Sequence, residues 1–135
     1  MLRKEKKIFS NIECHHTGSN DAGLAIIEGK LVAGVKMEDA ETAVEEELTK
    51  IKTELVSNAE LQKVKNKTES MIAFEDMSVM SRANSLAMYE LLGDATLMNT
   101  ELEKYAAVTT QDILEESRNI FKESNSNTLY YRTKN

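Results

Sequence analysis

Hydrophobic and polar positions change period twice along the chain. Ile8-Phe9-Ser10-Asn11-Ile12-Glu13-Cys14 alternates, with Ile8, Ser10, Ile12 and Cys14 on one side and Phe9, Asn11 and Glu13 on the other. A period of two with one mostly apolar face predicts a half-buried strand. Thr17 to Gly23 is dense in turn formers and predicts a loop. Leu24-Ala25-Ile26-Ile27-Glu28-Gly29-Lys30-Leu31-Val32 is a nearly continuous, β-branched apolar run, expected as a more deeply buried strand antiparallel to the first, with Gly34 closing the hairpin region.

From Met37 to Phe121 the period is helical. Val44, Leu48, Ile51 and Leu55 form one stripe, opposite Glu45, Glu46, Lys50 and Lys52. Ser57 is placed to cap a second helix with Glu60 reaching back, and Val56 and Leu61 to staple it. That pattern runs on to Leu92, a rod of about 48 Å at 1.5 Å per residue, which is long for this chain, so a break is expected near Glu75–Ser81. Gly93 suits the position after a helix end, and Asp94 can cap a short helix reaching about Ala107. Thr109 and Asp112 repeat the capping grammar, with Val108 against Ile113, ahead of a helix through Phe121. Ser124 to Asn127 breaks it, and Thr128-Leu129-Tyr130-Tyr131-Arg132-Thr133 reads as a final strand. The expected class is α+β: a small antiparallel sheet, made of the N-terminal hairpin plus the C-terminal strand, covered on one face by several helices.

Composition narrows the function classes. The 135 residues suffice for one domain, and the single Cys14 excludes an intrachain disulfide. A net charge of −6 argues against nucleic acid as a partner. The start is the exception: Arg3, Lys4, Lys6 and Lys7 stand against Glu5, leaving 13 basic and 22 acidic residues on the rest of the chain. That basic start could bind phosphate or an anionic peptide terminus, or serve as a solvated sheet edge. No apolar run approaches the roughly 18 residues of a membrane span, so no membrane partner is expected.

Candidate chemistry is sparse. Cys14, His15 and His16 are the residue types that hold zinc, but alternation sends His15 to the face opposite Cys14 and His16, and the sequence has no further Cys or His. A packing role at the strand end is expected. Glu45, Glu46 and Glu47, and Glu101 and Glu103, could be acid–base pairs; solvated helix faces are the expectation. Met71, Met77, Met80 and Met88 could form a pliable peptide groove, with core filling at the helix break as the favoured reading. The motifs H-x-x-E-H, G-x-S-x-G and Walker A are absent.

Several stretches, in order, resemble the pitrilysin/insulinase family of zinc metallopeptidases: Leu2-Arg3-Lys4-Glu5-Lys6-Lys7, Gly18 through Lys30, Glu60 through Lys67, Arg82 through Asp94, Val108 through Ile113 and Asn125 through Tyr131. The resemblance covers essentially the whole chain. It implies the processing-peptidase-like metallohydrolase fold, with residues 1–135 as a single, partial C-terminal domain, and a role in proteolysis as a non-catalytic wall of the substrate chamber. No cofactor is expected in this chain; zinc and H-x-x-E-H would lie in the parent's N-terminal catalytic domain, the expected partner together with a peptide substrate. Family members hold the substrate backbone with an Arg and, seven residues on, a Tyr. Arg3 stands at the Arg position, while the Tyr position falls on Ser10, or on Phe9 with a one-residue gap. The chain alone is expected to be inactive, to form homo-oligomers through its uncovered surfaces, and to be cytoplasmic, or periplasmic if the parent carries a signal peptide. The alternative is a structural scaffold subunit of the same fold without peptidase activity; an H-x-x-E-H encoded upstream would favour the peptidase.

Overall fold

The computed structural model describes residues 7–18 and 21–132. The protein is α+β, with strands β1 (Phe9–His16) and β2 (Ala25–Leu31) and helices α1 (Met37–Thr53), α2 (Asn58–Glu75), α3 (Val79–Leu91), α4 (Glu101–Ala107) and α5 (Thr110–Ile120). A 3-10 turn over Ala95–Thr100 leads into α4. The chain divides into two compact units, one of residues 1–54 and 116–135 and one of residues 55–115.

In the first unit β1 and β2 pair antiparallel, with Cys14 opposite Ile27 and His16 opposite Ala25. The register shifts between Phe9 and Asn11, so Phe9 faces Leu31 while Ile12 faces Gly29. That bulge at Ser10 corrects the strict alternation read from the sequence. One extra residue flips the parity of everything before it, placing Phe9 on the face shared by Ile12 and Cys14. Phe9 is consequently the buried side chain of β1, at 6% exposure. Gly29 makes room for its ring, because a Cβ there would stand 2.6 Å from Phe9 Cε1. Ser10 itself is exposed and donates its hydroxyl to the Lys30 carbonyl at 2.9 Å.

Ala40 and Ala43 are the buried positions of α1. Its predicted stripe holds through Ile51, but Leu55 lies past the helix end and is exposed. The end of α5 is tied to the end of α1 through backbone carbonyls. Buried Ser117 donates to the Ile51 carbonyl at 2.8 Å, Arg118 Nε to that of Lys52 at 2.8 Å, and Lys52 Nζ to that of Phe121 at 3.3 Å. These bonds satisfy carbonyls that a helix end leaves without intrahelical partners.

The predicted C-terminal strand is not formed. Residues 126–132 carry no strand pairing, and the sheet of the described residues has two strands. The tail is held by side chains on α1 instead: the Tyr130 hydroxyl donates to the Glu41 carboxylate, and Arg132 stands 3.9 Å from Glu38. Leu129 and Tyr131, on the alternate positions, remain exposed.

The second unit follows its local signals closely. Ser57 accepts from Glu60 N at 3.2 Å and returns its hydroxyl to the Glu60 carboxylate at 3.2 Å. The expected break falls at Asp76–Ser78, where Ser78 accepts from Ser81 N at 3.3 Å and starts α3. Gly93, at φ 108°, ends it: Gly93 N donates to the Glu90 carbonyl at 2.9 Å and Asp94 N to that of Tyr89 at 3.1 Å, the paired bonds of a Schellman motif. Asp94 then caps the 3-10 turn by accepting from Thr96 N at 2.8 Å. Asp112 accepts from Thr109 N at 2.7 Å while Thr109 Oγ1 accepts from Asp112 N at 3.1 Å, which is the expected box at the start of α5.

Gly29→Ala should destabilise the hairpin unit by about 1–3 kcal/mol through overpacking against the Phe9 ring. In a Phe9→Ala background the same change should cost almost nothing, as a double-mutant cycle of urea midpoints would show; equal penalties in both backgrounds would contradict the contact. The bonds that Thr109 and Thr96 donate hold Asp112 and Asp94 below the ordinary aspartate value of 3.8. A depressed carboxylate stabilises the fold above its unfolded pKa and loses that contribution as pH falls through the folded value. Helicity should therefore fall on acidification below about pH 4, and Asp112→Asn should flatten that limb in circular dichroism.

Candidate functional site

A concavity lies within the second unit. Its lining comprises Glu75 at the end of α2, Asn84, Ser85, Met88, Tyr89 and Leu92 from α3, and Glu101 at the start of α4, around about 400 Å³. Ser85, Met88, Tyr89 and Leu92 recur at helical spacing, so one face of α3 supplies the floor. The Gly93 turn and the Asp94 cap then reverse the chain, which returns Glu101 to Tyr89. Lys65 Nζ on α2 donates to the Ala106 carbonyl of α4 at 2.6 Å, fastening the two helices that bound the cleft.

Interaction with the Glu101 carboxylate, aided by burial, raises the Tyr89 pKa to about 12, so at neutral pH the phenol can donate and is no base. Both histidines of the chain lie on β1, in the first unit. Two carboxylates, an amide, a hydroxyl and a phenol over Met88 and Leu92 suit binding of a cationic or hydrogen-bond-donating group.

Most of the candidates read from the sequence stand elsewhere. Cys14, His15 and His16 are exposed on β1, and the register places Cys14 and His16 on one face and His15 on the other. Among the described residues no three His, Cys, Asp or Glu side chains are grouped to hold a metal ion. Glu47 pairs with Lys50 at 2.9 Å, and its hydrogen bond and charge raise the lysine pKa on an exposed helix face. Glu101 enters the cleft, whereas Glu103, two residues on, is exposed and on another face. Arg3 lies outside the described residues. Of its two partner positions, Phe9 is committed to the core and Ser10 to the Lys30 carbonyl.

The methionines correct a reading. Core filling was expected, yet Met71, Met77, Met80 and Met88 are exposed, Met77 to 78% and Met80 to 71%. They surround a helix break that projects apolar side chains, with Phe74 and Val79 also 73% and 84% exposed. Only Met88 lines the cleft. The sequence reading missed Glu75, Asn84, Ser85, Tyr89 and Leu92; the spacing on α3 was a signal, but an apolar stripe alone does not show that a polar neighbour completes a cleft.

No family model and no curated protein matches the chain. Among solved structures, the crystal structure of a protease from Helicobacter pylori superposes on 92% of this chain with a TM-score of 0.80 at 20% sequence identity. The chain spans 30% of the length of that protease chain. The likeness is one of fold. Among the described residues no helix is long and apolar enough to cross a membrane.

Ultraviolet titration of the four tyrosines should show one phenol ionising near pH 12. Glu101→Gln should return it toward the ordinary value, and Tyr89→Phe should remove it. Because the folded pKa lies above the unfolded one, the stabilisation from this interaction is present below pH 10 and lost as pH rises from there toward 12. An unchanged titration in Glu101→Gln would contradict the pairing.

Proposed function

We propose that this chain is a non-catalytic C-terminal part of a zinc-dependent metalloendopeptidase of the pitrilysin/insulinase kind, forming a wall of its peptide chamber. The observation that supports this reading most is the superposition on 30% of a protease chain with a TM-score of 0.80. The ordered motif resemblance from Leu2 to Tyr131 points the same way. On this reading zinc and its H-x-x-E-H belong to the N-terminal catalytic domain of the whole enzyme, and residues 1–135 are a partial domain that partners it. The two-stranded sheet leaves an outer edge on each strand, and an extended peptide can add to such an edge through backbone hydrogen bonds.

Uncovered apolar side chains such as Phe74, Met77, Val79 and Met80 support an incomplete assembly. No side chain of α2, α3 or α4 is buried. Apolar surface left in water at about 25 cal/mol per Å² drives association. Alone, the chain is therefore proposed to form homo-oligomers, with sheet-edge or helix faces taking the place of the absent half-domain.

Purified as this chain, the protein should carry no stoichiometric zinc by metal analysis and should not hydrolyse quenched fluorescent peptides. Light scattering at micromolar concentration should give a mass above that of one chain. Stoichiometric zinc with hydrolysis would overturn the reading, and a clean monomer would overturn the oligomer.

A further inference from the structure

We propose that the cleft between α3 and α4 captures a single arginine or lysine side chain presented on an apolar peptide segment. The cleft lies wholly inside the second unit, so this inference stands apart from the peptidase reading and can fail without it. None of the residues that line the cleft is basic, and two of them, Glu75 and Glu101, are carboxylates. The floor between them is Met88 and Leu92, one helical turn apart on α3. A long cationic side chain matches this order of chemistry, because its methylene stem packs on apolar surface while its head stays polar. A neutral apolar segment would draw no attraction from the two carboxylates, and an acidic one would be repelled.

Tyr89 lines the same wall as Glu101, whose carboxylate lone pairs can accept from a guanidinium or ammonium. Asn84 and Ser85 offer further acceptors on the same wall. At about 400 Å³ the cleft falls within the size of small-ligand sites, enough for one long side chain and adjoining backbone. Met71, one helical turn before Glu75 on α2, and Leu91, beside Leu92, are both exposed. They give the flanking apolar residues of the segment a surface, and thioethers adapt to varied shapes. A second copy of the chain is a poorer occupant: Glu75, Asp76, Glu90 and Asp94 line this part of the sequence against Arg82 alone, so the same patch on two copies would bring acid against acid.

The test is fluorescence anisotropy of the full chain with a fluorescein-labelled Gly-Leu-Arg-Leu-Gly peptide, and with the same peptide carrying citrulline, which keeps the shape and removes the charge. The arginine peptide should bind about tenfold or more tightly than the citrulline one, the size of one charge-assisted hydrogen bond, and added salt should erode the difference. Glu75→Gln with Glu101→Gln should abolish the discrimination while circular dichroism stays unchanged. Met88→Ala should weaken both peptides alike. Equal binding of the two peptides to the unmodified chain, no binding up to about millimolar peptide, or discrimination that survives the double Gln change would each overturn the proposal.

Discussion

Apolar side chains that find no cover within their own unit set the terms for this protein. Around the turn from α2 to α3, Phe74, Met77, Val79 and Met80 face water, although every helix cap nearby is made. Local hydrogen bonding thus specifies where these helices start and stop, and it does not supply the burial that stabilises helices in proteins. The first unit differs in kind. Phe9, Ala40, Ala43 and Ser117 are buried there, and Ser117, Arg118 and Lys52 stitch α1 to α5 through backbone carbonyls. Most of the buried side chains lie in the first unit, whereas the second buries Leu114 and holds the rest of its outline by caps and turns.

That asymmetry shapes the cleft. Because the second unit spends few apolar groups on its interior, one face of α3 remains available to line a concavity, and the Schellman turn at Gly93 swings Glu101 back across it. The bond from Lys65 to the Ala106 carbonyl joins α2 to α4, so a polar contact does there what packing does elsewhere. The result is an acidic rim over an apolar floor, suited to binding and without a nucleophile–base pair.

Sequence reading succeeded where the physics is local. The boxes at Ser57–Glu60 and Thr109–Asp112, the stop at Gly93 and the break before Ser81 all depend on groups within five residues of one another, and each appears where expected. It failed where the deciding partner is distant. A bulge at Ser10 depends on the register against β2, and it moved Phe9 to the buried face. The tail at 128–132 has the alternation of a strand, but Glu38 and Glu41, about ninety positions earlier, hold it to α1 instead. Hydrophobic character told that the methionines favour burial and could not tell whether a covering surface is present. The cleft escaped notice for a similar reason: Tyr89 and Glu101 meet only after the chain has reversed.

The most direct measurement is amide hydrogen exchange of the whole chain, resolved by peptide. Backbone bonds that lack apolar cover open locally at low cost. If uncovered apolar surface is the governing constraint, α2 and α3 will exchange much faster than β1, β2 and α1, and will slow when a binding partner covers them. Uniformly slow exchange across both units in a monomeric chain would contradict the account.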